Sequence, residues 1–158
     1  DLGLNESQTC LMGESYGGFL VLAAATAGAK IEGVEGRVPP FKAGCVIAKY
    51  PLVDIEEAYK EANDTMKLWY EKECGGDMPR CFARSPSNNL QNLAGTKTLL
   101  IVGEEDRRVG SSALKLCDQP GVTCLVLKDQ GHGTDSVEAQ VEDYKAVFGF
   151  LEKEVLRH

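Results

Sequence analysis

Gly13, Glu14, Ser15, Tyr16 and Gly17 spell G-x-S-x-G, the spacing of a serine held on a tight turn between a strand and a helix. Small residues on either side let the two elements approach, and the strained turn holds the hydroxyl out at the carboxyl end of a sheet. The following helix begins at Tyr16, whose backbone N–H is a donor suited to an oxyanion developing beside Ser15. A serine hydroxyl attacks only when a base takes its proton. The chain has two histidines, and one of them, His158, is its last residue. His132, in the glycine-flanked stretch KDQGHGTDS, is therefore the expected base. An imidazole base needs an acid to hold its tautomer and stabilise the imidazolium. VGEEDRRV offers Glu104, Glu105 and Asp106; Asp106 is the expected partner and Glu105 the second choice. The chemistry of such a set is acyl transfer.

Three separated loops meet only if the elements between them lie side by side. QTCLM, AGCVIAKYP, KTLLIVG and TCLVLK read as short apolar strands. Strands that are apolar throughout and alternate with helices predict a parallel sheet buried on both faces. SYGGFLVLAAATAGA reads as a helix, and GVEGRVPPF, with its glycines and proline pair, as a loop. DIEEAYKEANDTMKLWYEKECGG reads as two short polar helices with a break near Asn63 and Asp64, closed by Gly75 and Gly76. DMPRCFARSPSNNLQNLAG reads as irregular chain with one helical turn, and GSSALKLC as a short helix. Val137, Val141, Tyr144, Phe148, Leu151 and Val155 recur at helical spacing, which predicts a final helix with these residues on one apolar face. The expected architecture is α/β, one domain over residues 1–158, with a mostly parallel sheet of about four strands, flanking helices and right-handed crossovers.

Composition fits that picture. A chain of 158 residues, 43% hydrophobic and 26% charged, is long enough to bury a sizeable core. A net charge of −7 argues against nucleic acid and anionic membranes, both of which need a basic face. No apolar run approaches the roughly 20 residues that span a bilayer. Of the six cysteines, Cys74 and Cys81 flank GGDMPR and Cys117 and Cys124 flank DQPGVT, so each pair brackets a turn that a local disulfide would fit. Cys10 and Cys45 fall in strands, where buried thiols behave as small hydrophobes. With no C-x-x-C and two histidines, no structural zinc site or other metal is implied. Reduced thiols and a cytoplasmic location are the expectation. The chain opens on Asp1 rather than Met, as a fragment or a processed chain would.

GESYGGF, SPSNNLQNLAGTKTLLIVGEEDRRV and DQGHG together resemble the C-terminal half of the catalytic domain in the prolyl oligopeptidase family of serine peptidases. EDRRV is especially similar to the acylaminoacyl-peptidase branch. The order Ser, Asp, His along the chain is that of α/β-hydrolases, so the resemblance implies a partial α/β-hydrolase fold. It assigns Ser15 as nucleophile, Asp106 as orienting acid and His132 as base, and puts Tyr16 and Tyr59 in the substrate pocket. Glu14 is reminiscent of the serine carboxypeptidase elbow, where a glutamate before the serine helps bind a terminal carboxylate. The resemblance implies no cofactor, and its substrate would be a peptide or acyl-peptide.

The strands that normally precede the nucleophile strand, one loop of which supplies the second oxyanion donor, have no counterpart here, nor does the propeller domain. The edge of the strand at residues 9–12 is then expected to be covered by a second copy of the chain, as a homodimer, or by an N-terminal partner. A serine peptidase is the leading expectation. A small esterase on the same triad is the alternative, as is a weak or inactive fragment that needs a partner to complete the oxyanion hole.

Overall fold

β1 (Cys10–Glu14), β2 (Cys45–Lys49), β3 (Lys97–Gly103) and β4 (Val122–Leu127) form one sheet. In the computed structural model, which describes residues 9–27, 42–109 and 111–156, they pair in the order β1-β2-β3-β4, and every pair is parallel. CVIAK in β2 is buried along its whole length, and KTLLIVG in β3 is buried beyond its first residue. That is the burial expected of strands covered on both faces. The predicted loop GVEGRVPPF lies outside the described residues.

Strand order equal to chain order, combined with right-handed crossovers, forces all the connecting helices onto one face. α1 (Tyr16–Thr26) connects β1 to β2, and α5 (Ser112–Leu116) connects β3 to β4. Leu22, Ala25 and Leu116 from these helices pack on Val46, Ala48 and Leu100 of the sheet. α6 (Val137–Leu151) follows the last strand and is free of that constraint. It covers the opposite face, with Val147 and Phe150 against Ile47, Leu99 and Ile101.

Between β2 and β3 the chain makes an excursion through α2 (Ile55–Glu61), α3 (Asp64–Glu73), α4 (Met78–Phe82) and a 3₁₀ segment, Pro86–Leu93. Asp54, Asn63 and Asp77 each accept a backbone N–H three residues on, and these caps decide where each helix starts. Asn63 accounts for the break between α2 and α3. A third core, built around Phe19, Leu52, Ile55, Tyr70 and Val109, holds the excursion to the sheet. The stretch expected to be irregular with one helical turn is thus more ordered, as α4 and the 3₁₀ segment.

The final helix forms as expected, but rotated. Val137, Val141, Tyr144 and Phe148 are exposed, by 43% to 70%, while Leu151 and Val155 pack partly against the core. The buried side chains are Ala139, Asp143, Val147 and Phe150. α6 carries two apolar stripes, and the sheet takes the one that contains an acid because Asp143 meets Lys49 there at 2.6 Å. Hydrophobic periodicity scores that stripe down for its carboxylate, so it points to the wrong one.

The expectation of reduced thiols is overturned as well. Cys10–Cys45, Cys74–Cys81 and Cys117–Cys124 are disulfides. The last two close the turns they bracket, each worth about 2–3 kcal/mol if loop entropy is the main effect. The first joins register partners on β1 and β2, whose Cα atoms are 4.5 Å apart. That pairing is invisible until the strands are known to be neighbours.

Candidate active site

Ser15 stands between β1 and α1 with φ 55° and ψ −117°. Holding a residue with a Cβ in that region costs about 1–3 kcal/mol, which the surroundings must over-determine. They do so from both sides. The Ser15 N–H donates to the Lys49 carbonyl at 2.8 Å, and the Ser15 carbonyl accepts from the Phe19 N–H. A Cβ on residue 13 would lie 2.2 Å from the Gly17 carbonyl oxygen, so only glycine lets strand and helix close around the serine. Tyr16 is the first residue of α1, and its N–H therefore has no acceptor within the helix.

The other two residues arrive on the ends of β3 and β4. After β3 the Glu104 N–H donates to the Leu127 carbonyl and the Glu105 N–H to the Gln130 carbonyl, which locks this turn to the loop that carries His132. Asp106 takes the Arg108 N–H on Oδ1 at 3.0 Å and His132 Nδ1 on Oδ2 at 2.8 Å. His132 Nε2 lies 2.7 Å from Ser15 Oγ. The Asp106 and His132 side chains are 5% and 14% exposed, which keeps water from competing for these bonds. Glu105, the second-choice acid, is exposed and joins the loop through its backbone. The three side chains make one hydrogen-bonded line, hydroxyl to imidazole to carboxylate, with the geometry of a base-activated nucleophile.

Beneath the line lies a polar cluster that sequence reasoning missed. Lys49 ends β2 and is register partner to Glu14 on β1. Its Nζ is 3.2 Å from Glu14 Oε2 and 2.6 Å from Asp143 Oδ2. Burial works to lower its pKa, but the bonds to Asp143 and Glu14 outweigh burial and leave it raised. The Tyr50 ring stands edge-on to His132, with centroids 6.1 Å apart. Burial, with Asp143 and Glu14 adding, pushes the Tyr50 phenol well up. The signal available in the sequence was a lysine closing an otherwise apolar strand, since a buried ammonium demands a partner.

Beside Ser15, between α1 and the excursion, lies a cleft open to solvent. Tyr16 and Phe19, their rings stacked at 5.5 Å, line it together with Leu52, Ile55, Trp69 and Tyr70. Glu73, Arg84 and the Cys74–Cys81 disulfide complete it.

A model of the prolyl oligopeptidase family matches residues 3–157. The chain belongs to the prolyl oligopeptidase family. Among solved structures it is similar to a puromycin-hydrolyzing peptidase of Mycobacterium tuberculosis, with 19% identity and a TM-score of 0.75 over 96% of this chain and 23% of that one. It is also similar to an acylaminoacyl peptidase in complex with Z-Gly-Gly-Phe-chloromethyl ketone, at 23% identity and a TM-score of 0.72 over 98% of this chain and 25% of that one. An α/β-hydrolase from Penicillium sp. sh18 aligns at 18% identity and a TM-score of 0.60, over 96% of this chain and 65% of its own. The parallel sheet with its flanking helices is thus part of an α/β-hydrolase fold, and the chain spans about a quarter of the length of these two peptidases.

In this member of the prolyl oligopeptidase family the two tyrosines expected in the pocket part company. Tyr16 lines the cleft. Tyr59, on α2, is not among its lining residues; its hydroxyl donates to Glu71 at 2.7 Å and its ring packs on Tyr70 and Phe82. Glu14 also stays out of the cleft. Cys10 packs into the core under α6, and the two-residue period of β1 puts Glu14 on that same face, where it holds Lys49.

Proposed function

We propose that the chain is the catalytic part of a serine hydrolase of peptidase type, acting on peptide or acyl-peptide bonds. Ser15 Oγ attacks the scissile carbonyl while His132 Nε2 takes its proton. Asp106 holds the His132 Nδ1–H and stabilises the imidazolium. The Tyr16 N–H donates to the oxyanion. His132 then returns the proton to the leaving amine, and a water, activated the same way, releases the acyl group and frees Ser15. The observation that carries this reading is the hydrogen-bonded line from Ser15 through His132 to Asp106, at 2.7 Å and 2.8 Å. The aromatic and aliphatic lining of the cleft suits an apolar side chain next to the reacting carbonyl. A peptidyl inhibitor ending in phenylalanine in the similar acylaminoacyl peptidase agrees with that.

A single backbone donor for the oxyanion is identified among the described residues, and losing one such donor typically costs about 10²–10³ in turnover. Next to Tyr16 the sheet has an open edge, since β1 has a neighbouring strand on one side among the described residues. Met12 beside that edge is exposed, as is the Tyr144 and Phe148 stripe of α6, and proteins seldom leave such an edge bare. The working form therefore has this edge covered by a second copy of the chain or by further polypeptide, which also supplies the missing donor. Among the described residues no helix is long and apolar enough to cross a membrane. Three disulfides favour an oxidising compartment over the cytoplasm that the sequence suggested.

The test is turnover of a p-nitrophenyl ester against an acylated amino-acid amide, for wild type and Ser15→Ala. Hydrolysis of both by wild type alone supports the peptidase. Ester hydrolysis alone makes the chain an esterase, and turnover retained in Ser15→Ala removes the reading. Light scattering tests the covered edge: a monomer of 17.1 kDa that is as active as a related peptidase would contradict it.

A further inference from the structure

The cleft beside Ser15 has a covalent wall. Cys74 caps the end of α3, Cys81 lies in α4, and both line the cleft next to Trp69 and Tyr70. The one buried side chain of α3 is Tyr70 and that of α4 is Cys81, so the deepest anchor of the five-residue helix is the residue that is bridged. The rest of that wall is held by partial packing of Met66, Met78 and Phe82 on the core and by the Tyr59 ring on Phe82. Residues 75–77, between the two cysteines, are exposed. The wall also touches the acid turn. The Tyr70 hydroxyl lies 3.4 Å from the Arg108 carbonyl oxygen, and the Arg108 N–H donates to Asp106.

We propose that the Cys74–Cys81 disulfide determines specificity: it sets the width of the cleft and so confers preference for a substrate with an aromatic side chain. Closing the bridge holds α4 against α3, so that Trp69 and Tyr70 face Tyr16 and Phe19 across a fixed gap. Opening it takes two electrons and two protons from a dithiol, which closes to its own disulfide, and leaves thiols on Cys74 and Cys81. α4 then keeps the packing of Met78, Cys81 and Phe82 but no covalent tie to α3. The cleft loses its grip on an aromatic ring, while the line from Ser15 to Asp106, which the bridge does not touch, still acts on substrates that do not use the cleft. The effect on turnover rests on the reading of Ser15 as nucleophile; the effect on binding does not.

Trp69 is the single tryptophan of the chain and lines the cleft, so its fluorescence reports occupancy without any chemistry. In a Ser15→Ala background, N-acetyl-phenylalaninamide is titrated with the bridge intact, with Cys74→Ser/Cys81→Ser, and with Cys117→Ser/Cys124→Ser as a control for losing a disulfide elsewhere. The account expects affinity to fall about tenfold, the scale of pocket discrimination, when the 74–81 bridge is lost, and to hold in the control. In proteins that keep Ser15, the kcat/KM ratio of N-acetyl-phenylalanine p-nitrophenyl ester to p-nitrophenyl acetate falls by a similar factor in Cys74→Ser/Cys81→Ser and holds in Cys117→Ser/Cys124→Ser. Equal affinity with and without the bridge, no binding to the bridged protein, or an unchanged ratio would overturn the proposal. Binding that depends on the bridge with neither ester hydrolysed would uphold it and instead remove the nucleophile reading. If the serine pair does not fold, wild type opened by dithiothreitol, alkylated, and identified by peptide mass as open at 74 and 81 decides through the same readouts.

Discussion

Gly103, the last residue of β3, lies so close to Gly131 that a Cβ added to it would stand 2.1 Å from the Gly131 carbonyl oxygen. The acid turn begins immediately after one of these glycines and His132 immediately after the other. This backbone contact therefore sets the distance between carboxylate and imidazole. Gly103→Ala must push the two loops apart, because its neighbours there are backbone atoms rather than yielding side chains. The expected result is a loss of about 1–3 kcal/mol of stability, with a fall in kcat larger than any rise in KM. Thermal melting and ester kinetics measure both, and wild-type values for both would show that the contact positions nothing.

Asp106 takes the His132 proton-bearing nitrogen at 2.8 Å. Asp106→Asn keeps the shape but offers the ring the wrong partner, so kcat is expected to drop by about 10⁴ with the melting temperature little changed. An undiminished kcat would mean that another group, with exposed Glu105 the nearest in sequence, holds the histidine.

Lys49 joins Glu14 on the nucleophile strand to Asp143 on α6. Lys49→Met strands a buried carboxylate and is expected to cost about 3–5 kcal/mol, while Lys49→Met with Asp143→Leu recovers much of that loss. Equal stabilities for the single and double variants would contradict a buried pair.

Lys49, Tyr50 and Tyr70 all have raised folded-state pKa values, Tyr70 at about 12 through burial and the Asp106 charge. A raised value means that the folded chain holds its proton after the unfolded chain has released it. The stability these groups contribute is complete below the ordinary values of 10.0 for tyrosine and 10.5 for lysine, and is lost as pH rises through the folded values. Stability is thus expected to fall steeply above pH 10, with three of the five tyrosines, Tyr50, Tyr70 and the Glu71-bonded Tyr59, ionising late in an ultraviolet titration. Five tyrosines ionising together near pH 10 in folded protein would contradict this.

Much of the site was legible beforehand because glycines punctuate it. G-E-S-Y-G on an apolar strand, G-E-E-D after another and G-H-G after a third are each a strand end with a candidate residue on a short loop, and a parallel sheet delivers all such ends to one rim. The Cys10–Cys45 bond and the Lys49 cluster were not legible, since they depend on which strands are neighbours. The turn of α6 was misread because Asp143 is buried through a partner 94 positions away in chain numbering, and no periodicity carries that. Tyr59 and Tyr70 sit in one aromatic group, and sequence alone does not say which of them reaches the cleft.

The central claim is that Ser15 is made nucleophilic by His132, and intact mass after exposure to a fluorophosphonate probe tests it most directly. The account predicts one adduct per wild-type chain, mapped to Ser15, absent in Ser15→Ala and slowed by at least about 10³ in His132→Ala. A wild-type chain left unlabelled while a related serine peptidase reacts under the same conditions, or a Ser15→Ala chain labelled as fast as wild type, would contradict it.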